Sequence, residues 1–432
     1  MYVKKRRGLL ALAAISASVA FAGIGAGGAQ ATLVSSCTGD SIAGQGSSLQ
    51  AAAQASWTTK FKTNMNGGCT TGPTVSYTAT SSGRCLATWR ADGTTPVNTA
   101  VHFCGTDDAP TEAQIPNINA GTGASVLSIP VAQAAIAFVV NPPANCTITS
   151  ATQTTLERAF RLASTWADLG ATGAGCTAAV TPVGRADSSG TTYQVKHWFT
   201  GVTTTGLTGA GTETWGGPQG TNSYQGTNTV WPGPVTVVKS QSGCLMATPC
   251  AGGANSGSGG GDEVKTVGTI SGSIGYAALA DARSVFASGT YSSLKWIKVQ
   301  SGLTTVDPSS NGVVSTKGTS NCTTSNGSYR TGGTSGDLPA AATDSWADVY
   351  LANAGTGYPL CTLTWDTALT NYSAHWGATT GPSIATSVRD YLHYVVGTLG
   401  GQADGLGAES DYQIIPEDVQ TKATAGIQLI TG

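Results

Sequence analysis

Apolar residues recur at helical spacing from Ser48 to about Asn66, where Leu49, Ala52, Ala53, Trp57 and Phe61 share one face. A Gly-Gln-Gly-Ser-Ser turn at 44–48 opens that helix. Pro73 to Ala79 is strand-like, Ser81-Ser82-Gly83 turns the chain, and a second helix is predicted through Trp89. The most apolar run, Val126 to Val140, holds Pro130 and Gln133 and ends at Asn141-Pro142-Pro143. It is too short and interrupted to span a membrane, and it predicts a buried strand with an adjoining turn. An amphipathic helix is predicted over 156–169, strands over 180–184, 273–276, 294–299 and 358–365, and a helix over 387–398. The Gly/Ser/Thr-rich stretch 201–261, with six glycines in 251–262, reads as loop, and so does the polar stretch 309–336. Strands alternating with helices predict an α/β protein with parallel sheets.

Composition narrows the setting. A chain of 432 residues has room for two or three domains. Only 10% of residues are charged while glycine reaches 59, a surface more typical of secreted proteins than of cytosolic enzymes. Lys4, Lys5, Arg6 and Arg7 precede an apolar run from Leu9 to about Ile24 and the small residues Ala29-Gln30-Ala31, the pattern of a signal peptide over 1–31. Its removal takes away four of the 21 basic residues and leaves 17 against 23 acidic ones, a net charge near −6. That balance, with no Lys/Arg block, excludes nucleic acid or an anionic membrane surface as partner, so any anion site must be local.

The ten cysteines form an even set in an exported chain and predict disulfides. No CxxC pair points to a metal. Pairing of neighbours (Cys37 with Cys69, Cys85 with Cys104, Cys146 with Cys176, Cys244 with Cys250, Cys322 with Cys361) would close short loops, although spacing does not fix connectivity. Val34-Ser35-Ser36-Cys37 loosely matches a lipobox. A lipid anchor at Cys37 would leave nine cysteines, and the disulfide reading is preferred.

Three segments share one design, a turn of Gly, Ser or Thr that feeds a helix: Gly44 to Leu49, Thr80 to Cys85 and Arg185 to Tyr193. Each would bring backbone N–H groups, hydroxyls and the positive end of a helix dipole to one point, which attracts an oxyanion. Singly, such turns are ordinary N-caps. Beside them, Arg185 adds a fork of charge-assisted donors that Asp187 can hold in place. Cys104-Gly105-Thr106-Asp107-Asp108-Ala109-Pro110 adds carboxylates, which suit an anion only if that anion carries a proton to donate. Protonated phosphate does so; sulfate at neutral pH does not.

These residues resemble the phosphate-specific substrate-binding proteins of ABC importers. Gly44-Gln45-Gly46-Ser47-Ser48 is similar to that family's Gly-x-Gly-(Ser/Ala)-Thr, Ser81-Ser82-Gly83 to its second Ser/Gly turn, and Gly105 to Pro110 to its Ser-Asp-Ala-Pro motif. Arg185-Ala186-Asp187-Ser188-Ser189-Gly190-Thr191-Thr192 resembles Arg-Ala-Asp-Gly-Ser-Gly-Thr-Ser, and Gly272 to Tyr276 resembles Gly-x-Ile-Gly-Tyr. The resemblance implies an α/β, two-lobed periplasmic-binding-protein-like fold of type II, each lobe a sheet flanked by helices, with two hinge crossings. Lobe I would take 38–140 and 362–432, and lobe II 141–361. It further implies that Ser48, Ser81 or Ser82, Asp108, Arg185, Ser189, Gly190 and Thr191 bind phosphate, with Asp187 in support and Asp108 accepting the phosphate proton. Ser48 stands where the family often has Thr, Ser188 replaces a glycine, and Arg84, in a usually glycine-rich turn, is expected to face solvent.

The implied protein is an exported monomer that delivers phosphate to membrane ABC permease subunits, with no cofactor, no metal and no covalent chemistry. Two other classes account for parts of the sequence. A secreted phosphatase-like enzyme would use a serine of the anion site, but there is no Gly-x-Ser-x-Gly elbow, and His102, His197, His375 and His393 read as packing residues. A surface or adhesive protein would suit the polar loops, and the intact Arg185 to Thr191 segment speaks against it.

Overall fold

The computed structural model describes residues 35–63, 67–203, 215, 230–231, 235–240, 259–332, 337–406 and 410–432. The expected signal peptide, the Cys244–Cys250 pair and most of the 201–261 loop lie outside the described residues. The first half runs β1 (Ile42–Gly46), α1 (Ala51–Phe61), β2 (Val75–Ala79), α2 (Ser82–Thr88), β3 (Phe103–Thr106), α3 (Gln114–Thr122), β4 (Val126–Asn141), β5 (Ser150–Ala151), α4 (Gln153–Arg161), β6 (Thr181–Gly184), α5 (Gly190–Thr203) and β7 (Val238–Lys239). It continues with α6 (Gly260–Thr269), β8 (Ser273–Ala278), α7 (Leu279–Phe286), β9 (Lys295–Trp296), β10 (Lys298–Ser301), β11 (Thr304–Val306), β12 (Tyr329–Thr331), β13 (Val349–Leu351), β14 (Cys361–Leu369), α8 (Ser373–Val396), β15 (Tyr412–Gln413) and α9 (Glu417–Ile427).

One sheet organises the molecule, in the order β2-β1-β3-β14-β4-β8-β6-β7, with β15 and β9 also paired to β4. Its spine is β4, whose 16 residues are buried except the last. A strand covered on both faces reads as a continuous apolar run, which is what the sequence shows there. Residues 126–135 of β4 pair with β14, and residues 136–141 pair with β8. No turn interrupts it: Pro130, which has no N–H to give, sits where the register slips between Thr364 and Trp365. The first part of β4 therefore belongs with β1, β2 and β3, and the second with β8, β6 and β7. Mixed α/β character, a curled sheet and flanking helices match the type II fold expected.

Several boundaries differ from expectation for local reasons. The helix predicted over 156–169 ends at Arg161, because Thr165 and Asp168 bond each other's N–H and side-chain groups in a separate turn. The strand predicted over 294–299 is two strands, since the chain leaves β4 after Trp296 and joins β5 and β11 from Lys298. The last long helix starts at Ser373, well before the predicted 387, across a kink at Gly377 (φ 82°) and with Pro382 inside it. Within the stretch read as polar loop, β12 pairs with β13.

Disulfides join Cys37 to Cys69, Cys85 to Cys104, Cys146 to Cys176 and Cys322 to Cys361, the neighbour pairing expected. The first corrects the lipobox alternative, because a Cys37 sulfur bonded to Cys69 cannot also carry a lipid thioether. Cys85–Cys104 ties α2 to β3, two elements of the site described below. Replacing both cysteines by alanine is expected to lower the unfolding free energy by about 3 kcal/mol, the chain-entropy value for a loop of this size. Chemical denaturation would measure it, and a loss below about 1 kcal/mol would show that the bridge does not constrain this region.

Candidate anion-binding site

Four turns approach one another around Asp107. After β1, the Ser47 N–H donates to Gly105 O (2.8 Å) and the Ser47 hydroxyl accepts the Leu49 N–H (3.0 Å), so a buried serine opens the way into α1. After β2, the Ser81 hydroxyl accepts the Arg84 N–H (3.3 Å) and caps α2. That task leaves the neighbouring Ser82 to face inward, with its Oγ 3.3 Å from Asp107 Oδ1. After β3 come Asp107, 1% exposed, and Asp108, partly exposed, with Thr106 Oγ1 2.8 Å from Asp108 Oδ1.

The fourth turn comes from the other part of the sheet, where β6 leads into Arg185 and α5. Thr191 Oγ1 donates to Asp107 Oδ2 (2.9 Å), and Gln194 Nε2 donates to Asp107 O (2.7 Å). The Ser189 hydroxyl accepts the Thr192 N–H (3.3 Å) at the start of the helix. A Cβ at Gly190 would stand 2.8 Å from both Asp108 Oδ1 and Ser82 Oγ, so only glycine lets α5 come this close. Arg185, 2% exposed, forms a two-pronged bond to Asp187: Nε to Oδ1 at 2.8 Å and Nη2 to Oδ2 at 2.6 Å. Burial works against its charge, yet the Asp187 carboxylate more than offsets that and holds the pKa above the ordinary arginine value.

The carboxyls respond to the same surroundings. Burial raises Asp107, while the Ser47 and Thr191 hydroxyls, the Arg185 charge and Ser82 pull it back. Asp108 is pushed up to about 7, first by burial and next by the charge of Asp107, with Thr106 and Ser82 acting in the opposite direction. Three hydroxyls and a guanidinium are thus organised around one buried carboxylate.

Of the residues expected at the site, Ser82, Asp108, Gly190 and Thr191 meet here, Arg185 acts on the cluster through its charge, and Asp187 holds Arg185. Ser189 and Ser81 serve as helix caps. Ser48 lies to one side, its Oγ accepting the Gly260 N–H at the start of α6 (3.2 Å). Arg84 is exposed, as expected. His102 packs: its Nδ1 accepts the Ala43 N–H (2.9 Å), its ring lies against Trp376, and burial lowers its pKa. Sequence reasoning passed over Ser47 and Gln194 and gave Asp107 no role in binding. It also missed α6, although Asp262 and Glu263 after three glycines are the acidic first turn of a helix.

Residues 31–354 match the PBP superfamily domain. The chain belongs to that superfamily. No curated protein matches it. Among solved structures, this PBP superfamily member resembles a high-affinity periplasmic phosphate-binding protein, PfluDING, bound with phosphate, at 18% identity and TM-score 0.58, over 89% of this chain and 93% of that one. A phosphate-binding protein from Stenotrophomonas maltophilia matches at 17% identity and TM-score 0.51 over 89% and 93%. A human phosphate-binding apolipoprotein matches at 17% identity and TM-score 0.54 over 90% and 98%. At these identities the likeness establishes a shared fold. Family and fold are those of binding proteins.

Proposed function

We propose that this chain is an exported binding protein for inorganic phosphate that hands its ligand, chemically unchanged, to an ABC-type importer. The observation that carries the reading is the convergence of the Ser47, Ser82 and Thr191 hydroxyls on one oxyanion, the Asp107 carboxylate, beside Arg185. Each hydroxyl has one proton to give, and hydroxyls that meet at a carboxylate can turn that proton to a phosphate oxygen when the ligand enters. The solved proteins of like fold that are named as phosphate-binding support the same ligand. The first N–H groups of α5, at Gly190 and Thr191, add donors of the kind that bind anions at helix starts. Residues 38–140 with 362–432, and 141–361, are read as two lobes that close on the ligand about β4 and β14. Ser82 with Gly190 and Ser48 with Gly260 are the pairs brought together on closure.

Asp107 and Asp108 take different parts in this reading. Asp107 positions the hydroxyls, which turn from it to the entering phosphate. Asp108 meets the cleft and accepts the proton of the bound phosphate, which sulfate lacks. Calorimetric titration with phosphate and sulfate tests both. Asp108→Asn is expected to reduce the preference for phosphate over sulfate about tenfold or more, the scale of one lost charged hydrogen bond. Asp107→Asn is expected to weaken both anions alike. Wild-type selectivity in Asp108→Asn would refute the proton-acceptor role, and a wild-type protein that prefers sulfate would refute the function.

A further inference from the structure

The cluster has another side, built by α6 and α7, that carries two acids with no assigned role. The Gly260 N–H donates to Ser48 Oγ (3.2 Å), and a Cβ at Gly260 would stand 2.2 Å from Asp281 Oδ2. Asp281 on α7 therefore lies against the first turn of α6, beside Ser48, and is partly exposed. One turn along α6, Glu263 is 1% exposed. Its Oε1 accepts the Tyr276 N–H (2.9 Å), while its Oε2 is buried with no hydrogen-bond partner among the described residues. Tyr276 links it to the anion segment: the phenol oxygen lies 2.7 Å from Thr192 Oγ1 and accepts the Arg185 N–H (3.4 Å). A buried carboxyl with an unsatisfied oxygen is costly, and its persistence next to the arginine of the site needs a reason.

We propose that Glu263 and Asp281 form an acidic wall of the anion site and oblige phosphate to bind together with a proton. This rests on the phosphate reading above and goes beyond it, since it sets the protonation state in which the ligand is held. The local charges leave little else to balance an incoming anion. On β6 and the loop after it stand Arg185 and Asp187, already joined; after β3, Asp107 and Asp108; on α6, Asp262, paired with Lys265 at 3.2 Å; on β8, Tyr276. On α7 Arg283 turns away to Asp411, and on β15 the Tyr412 hydroxyl donates to Leu49 O. An anion added here meets more acids than bases, and the wall must shed charge by taking up a proton.

The titration of the wall agrees in sign. Burial raises Glu263 well above the ordinary glutamate value, with the Tyr276 N–H and Arg185 opposing it. Burial pushes Asp281 up to about 7; Arg185 opposes this, and Asp107 and Asp262 add to it. An anion bound beside these groups raises them further, so near and above pH 7 binding takes up protons and affinity falls as pH rises.

The test measures phosphate Kd from pH 5.5 to 8.5 for the full chain and for Glu263→Gln, Asp281→Asn and the double variant, with proton uptake read by calorimetry in buffers of different ionisation enthalpy. The amide of Glu263→Gln keeps an acceptor for the Tyr276 N–H. The variants are expected to match wild type at pH 5.5, to bind about tenfold more tightly at pH 8.5, and to take up fewer protons. A pH profile and proton count unchanged in all three would overturn the proposal, as would a loss of affinity equal at every pH, the mark of a merely structural role. Failure of wild-type protein to bind phosphate at any pH would instead remove the phosphate reading itself.

Discussion

Replacing Arg185 by alanine is expected to weaken phosphate binding by at least a hundredfold. Arg185 is buried, and its fork is fixed on Asp187 by two hydrogen bonds. A charge contact to a ligand in a desolvated site is worth about 2–5 kcal/mol of binding, and a loss of about 3 kcal/mol is already more than a hundredfold. Breaking the buried pair also costs about 3–5 kcal/mol of stability, because the other charge is left uncompensated. Here the abandoned groups are several: Asp187, Glu263, Asp281 and Asp107 all feel the Arg185 charge. The variant should therefore also melt at lower temperature, and less so at acidic pH, where the stranded carboxyls can take up protons. Arg185→Lys separates charge from geometry. It keeps the charge but not the planar fork, and should fall between wild type and alanine. Titration calorimetry with melting at two pH values reads all of this, and wild-type affinity in Arg185→Ala would sink the site as described.

What the sequence disclosed, and what it hid, follows from how local each feature is. The strand β4 was legible because a long apolar run that ends at Asn141-Pro142-Pro143 has few other fates, and the cysteine pairs were legible because each closes a short loop. The turns after β1, β2 and β6 were legible as anion-seeking designs, since helix starts rich in Gly, Ser and Thr carry their chemistry in consecutive residues. Which hydroxyl of each turn points inward was not. Ser81 and Ser82 are equivalent in composition, and only the capping bond from the Arg84 N–H to Ser81 separates them. The acidic wall was hidden for a different reason. Gly259, Gly260 and Gly261 read as the end of a loop, whereas Gly259 and Gly260 allow the start of α6 to lie against Ser48 and Asp281. Burial of Gln54 and Asp366 was hidden too. Gln54 donates to both oxygens of Asp366 from a helix whose buried face was expected to be Leu49, Ala52, Ala53, Trp57 and Phe61, interrupted only by Ser56, while Ala52 is exposed. Such pairing depends on which strand lies under the helix, and that is a long-range fact.

The same contrast gives the second large effect, at a residue that touches no ligand in the proposed site. Gly46→Ala is expected to cost about 3–5 kcal/mol of stability and to impair phosphate binding as well. Gly46 ends β1 with φ of +139°, a conformation that side chains rarely adopt, and a Cβ there would stand 2.0 Å from the Gly105 carbonyl oxygen on the neighbouring strand. The backbone strain accounts for about 1–3 kcal/mol, and forcing the two strands apart for about as much again. That same carbonyl receives the Ser47 N–H, and Gly46 O receives the Thr80 N–H just before the Ser81-Ser82 turn. Moving Gly46 therefore displaces two of the turns that meet at Asp107, one residue away in each case from an inward-facing or capping serine. Denaturant unfolding together with phosphate titration would measure both consequences. Unchanged stability would show that the strands can part without loss. A destabilised variant with intact affinity would show that the glycine shapes the sheet alone, and that the Ser47 hydroxyl reaches the site independently of how β1 ends.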